Sequence, residues 1–279
     1  MQKKVVVFLL LLASCLALLI TACAGIESGR KIIPTKLVIT DNFLLPFKAE
    51  KCLMDAQSNT YYILEQDRPK IYFYRNKQQV NAIGGFGNEK INFQKLSDIA
   101  IDPDGNLLTL DSFAKLIRKF SYDGKWIADI NVTGFTQPTR FCSTYEGDLI
   151  IYDNATKEIK RISGFDNREM FSFGRFQVDS VFNISSSRDY VAVISGDRSK
   201  TVLFSGIGLF LNDFPAQIVL DQYQNQYFFQ DGAVRVVNSD AVLPFGWVNS
   251  EVRLYATGQV IILVRNNNIL ALKPTFIEN

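Results

Sequence analysis

Three acidic residues, Glu65, Asp111 and Asp153, stand at matching places along the chain, each at the polar end of an apolar segment, and Asp231 is a fourth candidate. Several carboxylate oxygens brought together form the ligand set that a hard cation such as Ca²⁺ takes. An acid at the end of a strand also accepts hydrogen bonds from the backbone of the turn that follows, and we favour this structural role for the four acids. The sequence therefore requires no cofactor, and it leaves calcium as the one candidate metal.

Histidine is absent from all 279 residues. Its absence excludes Ser-His-Asp and Cys-His nucleophiles, an imidazole general base and His-ligated zinc. The acids and amides show no spacing that identifies an active site, so we predict no catalytic residue and favour a binding role over an enzymatic one. The near balance of 30 Lys and Arg residues against 28 Asp and Glu residues also lacks the basic excess that nucleic-acid binding needs.

Large aromatic residues recur in the loops that separate the repeated segments described below. The candidates are Phe86, Phe93, Phe135, Phe176, Phe214 and Trp247. Several of them exposed on one side would form an apolar docking face of the kind found at protein interfaces. Burial beneath neighbouring loops is the alternative for each residue. A docking face on these loops is therefore a hypothesis about partner binding.

The elements that would position these residues are short strands in an internal repeat. Polar residues that end an apolar segment recur 46, 42 and 42 residues apart, at Glu65, Asp111, Asp153 and Ser195. Apolar residues alternate with a period of two, which indicates antiparallel strands and excludes a helical solenoid. Turn residues mark six such units: Asn59, Gly105, Gly147, Asp189, Asn225 and Gly258.

A four-stranded sheet on its own cannot bury both of its faces, whereas six such sheets packed around an axis can. We therefore predict an all-β fold, a six-bladed β-propeller over residues 35–279. The last unit lacks a fourth strand, and the segment Lys36–Thr40 is predicted to supply it and so close the ring. Cys52 and Cys142 then fall on blades that are not neighbours, and we predict two buried thiols and no disulfide.

One unit carries a family pattern. It has, in chain order, a glycine-rich loop, an aromatic residue, an apolar strand, a tight turn and a strand that ends in Asp-Ser: Gly84–Gly87, Phe93, Ile99–Ile101, Asp102–Asn106 and Asp111-Ser112. This segment resembles the NHL-repeat family of propellers, and the resemblance implies the propeller fold. Six-bladed lactonase-like enzymes hold calcium at the axis with acids and amides, so a calcium-dependent enzyme of this architecture remains an alternative.

The N-terminus, residues 1–22, has the composition of an export signal. A basic start at Lys3 and Lys4 precedes an apolar run of 16 residues, Val5–Ile20, and small residues follow. The run is shorter than the ~20 residues that a membrane-spanning helix needs, and the small residues suit a signal peptidase. We therefore predict that this segment directs export and is then removed.

The end of the apolar run, Ile20-Thr21-Ala22-Cys23, resembles the bacterial lipobox. The resemblance implies cleavage just before Cys23 and acylation of that cysteine, with residues 23–34 as a lipidated tether. Cleavage removes two lysines and no acid, so the mature chain is formally neutral and the lipid would hold it at the membrane. Ala24, which follows the cysteine, favours the outer membrane by the sorting rule of enteric bacteria.

Together these features predict an exported protein that is lipid-anchored to the bacterial cell envelope through Cys23. Its propeller is expected to act as a non-catalytic binding or scaffold module. The predicted partners are the membrane, through the lipid, and an envelope protein, peptide or carbohydrate. The alternative is a calcium-dependent hydrolase or lactonase, which would require carboxylates and amides to converge on a metal at the axis.

Overall fold

The computed structural model describes residues 32–87, 89–245, 247 and 252–276, and the predicted signal and Cys23 lie outside this part of the chain. The described residues form six four-stranded antiparallel sheets. Their first strands contact one another in sequence, and the first strand of the last sheet contacts that of the first. The sheets are therefore blades of a closed ring, which confirms the predicted all-β, six-bladed propeller.

The first three blades are each continuous in sequence and run from the axis outward. Blade 1 contains β2 (Ala49–Asp55), β3 (Thr60–Glu65), β4 (Lys70–Arg75) and β5 (Gln78–Gly84). Blade 2 contains β6 (Leu96–Ile101), β7 (Leu107–Asp111), β8 (Leu116–Phe120) and β9 (Trp126–Asn131). Blade 3 contains β10 (Pro138–Ser143), β11 (Leu149–Asp153), β12 (Glu158–Ile162) and β13 (Glu169–Phe173).

The next two blades follow the same order, and the sixth combines both ends of the described chain. Blade 4 contains β14 (Val181–Ser186), β15 (Tyr190–Ser195), β16 (Thr201–Ser205) and β17 (Phe210–Phe214). Blade 5 contains β18 (Ile218–Leu220), β19 (Gln226–Gln230), β20 (Ala233–Val236) and β21 (Val242–Pro244). Blade 6 contains β22 (Arg253–Thr257), β23 (Val260–Arg265), β24 (Asn268–Thr275) and, outermost, β1 (Lys36–Leu44).

The ring closes where β1 pairs with β24. The pairing runs from Lys36 opposite Thr275 to Leu44 opposite Asn268, with an irregularity between Ile39 and Asp41. The predicted closing strand is therefore confirmed, and it is longer than the segment expected from sequence. Within the described residues, no helix has the length and apolar character to cross a membrane.

The core lies between blades rather than inside one sheet. Second strands are buried on both faces, as in β7 and β11, where every residue is buried. Fourth strands such as β9 are largely exposed, because only one side of the outer edge packs on a neighbour. Cys52 and Cys142 are buried and unpaired, as predicted.

An antiparallel order of four strands sends alternate connections to opposite ends of a blade. We call one end of the ring the upper face; it carries the loops between second and third strands and the loops that lead to the next blade. The lower face carries the turns between first and second strands and between third and fourth strands. The N–H of Gly206 donates to the carbonyl oxygen of Asp189 at 2.6 Å, which joins two lower-face turns of blade 4.

Candidate functional site

The first strands of blades 1 to 4 share one irregularity. Their register shifts once, near the upper end of the strand, and a polar residue follows the shift in each blade: Lys51, Asp98, Arg140 and Asn183. In blades 5 and 6 the corresponding places hold Gln217 and Arg253. Each of the six blades therefore places one polar side chain near the axis, and we call these six residues the axial belt.

Two members of the axial belt form a buried ion pair. The Nζ atom of Lys51 lies 2.9 Å from Oδ1 of Asp98, and both side chains are almost fully buried. The other oxygen of Asp98 accepts the N–H of Phe141, in blade 3, at 2.9 Å. Blades 1, 2 and 3 are thus joined through one carboxylate. A buried charge is tolerated only with such partners, so this contact also fixes the three blades relative to one another.

The arginines of the axial belt extend these links around the ring. Arg140 donates to the carbonyl oxygens of Phe182, at 2.8 Å, and of Ser97, at 2.6 Å. Arg253 donates to the carbonyl oxygen of Ala49 at 2.7 Å. The carboxylate of Glu50 lies 3.6 Å from Arg140 and 3.2 Å from Arg253. Three cations therefore share two carboxylates at the axis, which leaves it one positive charge in excess.

A cavity of about 860 Å³ opens below the axial belt, on the lower face. Lys51 and Asn183 line its upper end, and Leu53, Cys142 and Tyr255 line its wall. Burial raises the pKa of the Cys142 thiol to about 12, so this cysteine is protonated at neutral pH and is a poor nucleophile. The lower cavity is therefore a mixed polar and apolar space without an activated nucleophile among these lining residues.

A second cavity, of about 650 Å³, opens on the upper face. Glu50 and Arg140 line its floor, Ser97 and Thr139 line its wall, and Phe86 stands at its rim. The axial belt thus lies between two mouths of different character. The upper mouth presents charged groups held by the belt and has an aromatic rim.

Asp111 and Asp153, two of the predicted rim carboxylates, tie loops of the upper face together. Asp111 accepts three backbone N–H groups, those of Gln94 at 2.8 Å, Lys95 at 3.0 Å and Ala114 at 3.1 Å. Asp153 accepts the corresponding three one blade later, from Thr136, Gln137 and Ala155 at 2.7, 2.9 and 3.1 Å. Each acid therefore fastens the loop entering its blade to the turn after its second strand.

The other two carboxylates have different surroundings. Glu65 accepts the hydroxyl of Tyr72 at 3.1 Å and lies 3.9 Å from Arg68. Asp231 is exposed in the turn after β19, with a φ of 51°. Among the residues that the structure describes, no three acidic or cysteine side chains come close enough to hold a metal ion. A calcium site among the four acids remains a prediction.

The predicted docking-face aromatics fall into three groups. Phe86 and Phe176 are exposed, at 81% and 91% of their surface. Phe214 and Trp247 are half-buried. Phe93 and Phe135 are buried, which corrects the predicted docking face, because buried rings cannot contact a partner.

Packing explains the two buried rings. Phe93 lies beneath the guanidinium of Arg118, 5.4 Å from the ring centre, and Phe135 belongs to the core between blades 2 and 3. Phe113, which the sequence analysis did not single out, is 72% exposed in the upper-face loop of blade 2. The exposed aromatic residues of the upper-face loops are therefore Phe86, Phe113 and Phe176.

Comparison with solved structures identifies the architecture. Virginiamycin B lyase from Staphylococcus aureus matches with 10% sequence identity and a TM-score of 0.57, over 86% of this chain and 100% of the lyase. A catalytically inactive histidine-to-alanine variant of that lyase with quinupristin matches with 14% identity and a TM-score of 0.56, over 89% and 97% of the two chains. The fold is that of a β-propeller.

A second solved structure shares the propeller fold. The WD40 domain of Pan2 from Neurospora crassa matches with 11% identity and a TM-score of 0.53, over 83% of this chain and 76% of that chain. Identities this low show the fold alone. No protein-family model matches the chain, and no curated protein matches it, so the NHL resemblance remains a prediction.

Proposed function

We propose that this propeller is a lipid-anchored, non-catalytic binding or scaffold module of the bacterial cell envelope, which holds its partner on the upper face. The observation that carries the proposal is the upper mouth itself. Phe86, which is exposed, stands at the rim of this mouth above the charged groups of Glu50 and Arg140, and Phe113 and Phe176 are exposed on other loops of the same face. Apolar anchors beside oriented polar groups are what a protein or peptide partner requires.

The rigidity of the upper face supports a binding role. Asp111 fixes the loop that follows Phe86, and Asp153 fixes the loop ahead of β10. Exposed side chains on loops fixed in this way lose little conformational freedom when a partner binds, so more of the contact energy contributes to affinity. The same bonds occupy the carboxylates, which supports a binding role over a catalytic one.

The membrane anchor of the proposal rests on the lipobox resemblance at Cys23, with the outer membrane as the favoured location. Metabolic labelling with a fatty acid, followed by mass spectrometry of the N-terminal peptide, tests it. We expect an acylated Cys23 in the native chain and no acylation in Cys23→Ala. An unmodified Cys23 in the native chain would remove the anchor from the proposal.

Crosslinking in intact cells tests the partner site. A photoreactive residue at position 113 should capture an envelope partner, identified by mass spectrometry. We expect Phe86→Ser with Phe176→Ser to reduce that capture about tenfold or more, as two exposed aromatic anchors are lost. Ile127→Ser, at an exposed apolar residue of the outer strand β9, is the control and should leave capture unchanged. Equal capture by all variants would refute the docking site.

A further inference from the structure

The lower face carries a repeated feature that the proposed function does not use. In blades 2, 3 and 4, the turn between the third and fourth strands starts at a serine, and the three are 42 residues apart: Ser121, Ser163 and Ser205. The backbone N–H of each serine donates across its turn at 2.8–2.9 Å, to the carbonyl oxygens of Lys125, Arg168 and Leu209. The hydroxyl oxygen of each serine accepts a second N–H of the same turn, at 3.1–3.2 Å. Each turn is closed by its own hydrogen bonds, and residues outside it add further ones, such as Asn81 to the carbonyl oxygen of Asp123 at 2.7 Å and Arg161 to that of Gly206 at 3.1 Å.

Each of these turns carries a large apolar side chain in solvent. Phe165 is 98% exposed, Ile207 is 70% exposed and Tyr122 is also exposed. Leu209, in the same turn as Ile207, and Tyr145, in a neighbouring turn of blade 3, are exposed as well. We call these five residues the apolar tips. Of the five, Tyr122 also packs against the guanidinium of Arg75, which lies 5.2 Å from its ring centre. Exposed apolar groups on the turns of one face are a candidate interaction surface.

The described chain also begins on the lower face. The carbonyl oxygen of Pro34 accepts the hydroxyl of Ser239, in the lower-face turn of blade 5, at 2.6 Å. The N–H of Thr35 donates to Thr275 at 2.9 Å, at the lower end of β24. Ile33, just before these contacts, is exposed. A lipid on Cys23 would therefore be joined to the lower face by residues 24–34, which reach at most ~40 Å.

We propose that the lower face lies on the lipid bilayer, with the apolar tips in the headgroup region; the inference rests on the proposed anchor at Cys23. A bilayer accepts separate apolar tips at one depth, whereas a protein partner needs a continuous complementary surface. The tips stand on turns of three different blades, and polar residues such as Asp123 and Asp166 lie beside them in these turns.

The charges beside the apolar tips do not attract anionic lipid. Lys125 lies 2.9 Å from Asp123 and Arg168 lies 3.9 Å from Asp166, whereas Glu146, next to Tyr145, shares Arg161 with Asp148. Acids are therefore in excess there, so contact through the tips should not require anionic lipid and should not weaken at high salt. This seating directs the upper face, with Phe86 and Phe176, away from the membrane.

Fluorescent labels at matched positions test the seating. The environment-sensitive fluorophore NBD is attached to Phe165→Cys or Ile207→Cys on the lower face, and to Phe86→Cys or Phe113→Cys on the upper face. The buried thiols of Cys52 and Cys142 do not compete for the label. The full lipidated chain is placed in vesicles of phosphatidylethanolamine and phosphatidylglycerol that contain a doxyl-quencher lipid.

The proposal expects quenching at 165 and 207 that is about fivefold or more stronger than at 86 and 113 and that does not weaken at high salt. Equal quenching of all four labels, or none at 165 and 207, overturns it. The fluorescence of the lower-face labels could instead change with protein concentration and not with the quencher. That result would identify a second copy of the chain as the occupant of the lower face, and it would also overturn the proposal.

Mass spectrometry of the N-terminal peptide measures the acylation of Cys23 separately. The proposed anchor and the proposed contact of the lower face with the bilayer can therefore be refuted independently. If mass spectrometry finds Cys23 unmodified, the anchor fails, and the same labels are introduced into a chain with Cys15→Ala and Cys23→Ala, in which neither of these thiols can take the fluorophore, and that chain is mixed with the vesicles. Quenching at 165 and 207 then still supports the seating, and its absence refutes it. Phe165→Ser is expected to weaken the partition of such a chain about fivefold, with Phe113→Ser as the unchanged control.

Discussion

The two faces of the ring are built from one repeat but are held together differently. On the upper face, Asp111 and Asp153 each fasten the loop entering a blade to the second strand of that blade. On the lower face, the hydroxyl of Ser163 accepts hydrogen bonds only within its own turn, although the N–H of Gly164 in that turn also donates to Asp148 of the neighbouring turn at 3.1 Å. Loss of an upper-face carboxylate should therefore disturb more than one segment, while loss of a lower-face serine hydroxyl should stay local.

The axial belt separates the two faces, and substitution of one of its residues should have the largest effect on the free energy of unfolding. Asp98→Ala leaves the ammonium of Lys51 buried without its 2.9 Å partner and also leaves the N–H of Phe141 without an acceptor. Breaking one side of a buried pair costs about 3–5 kcal/mol, so we expect the free energy of unfolding to fall by that amount. Urea unfolding followed by circular dichroism measures it.

A second variant separates the charge from the packing. Lys51→Met together with Asp98→Ala removes both charges, and we expect it to recover a large part of the lost stability, because no unpaired charge stays buried. If the double variant is as unstable as Asp98→Ala alone, the ion pair is not the cause. The axial belt would then not owe its effect on stability to the buried ion pair between the two faces.

The next effect compares the faces directly. Asp111→Ala removes the acceptor of three backbone N–H groups on two loops, and we expect a loss of about 3 kcal/mol in the free energy of unfolding. Ser163→Ala on the lower face removes only hydroxyl contacts within its own turn and should cost about 1 kcal/mol or less.

Hydrogen exchange shows where each change acts. Asp111→Ala should increase exchange in the loop 85–95 as well as in the turn after β7, whereas Ser163→Ala should affect residues 163–168 alone. Asp231→Ala, an exposed acid in the corresponding turn of blade 5, is the control and should change stability by less than about 0.5 kcal/mol. If increased exchange extends over equally many segments in Asp111→Ala and in Ser163→Ala, the contrast between the two faces is contradicted.

The fold was predictable because its signals are local and repeated. Turn residues such as Gly105 and Gly147, and an orphan strand at Lys36, suffice to predict six units and a closed ring. The structural role favoured for the acids agrees with the bonds of Asp111, since a carboxylate at a strand end lies within reach of turn N–H groups.

The site was harder to predict, because it depends on contacts between blades. Phe86 and Phe93 lie in one loop, yet one is exposed and the other buried, since only Phe93 meets the core and the guanidinium of Arg118. The axial belt was missed although a polar residue recurs inside each first strand, as at Lys51 and Asp98. A repeat alignment of the first strands would have revealed it, but not which members pair.

Calcium should produce the smallest effect, and it tests the enzymatic alternative. A cation bound at one hundred times its dissociation constant would stabilise the fold by about 2.7 kcal/mol. The oxygens of Asp111 and Asp153 already accept three N–H groups each, so a cation would have to displace bonds that hold the upper face together. We therefore expect the same thermal midpoint in calcium and in EGTA. A calcium-dependent rise that disappears in Asp111→Asn would reverse this conclusion, because it would turn the fastening acids of the upper face into metal ligands and favour the calcium-dependent hydrolase.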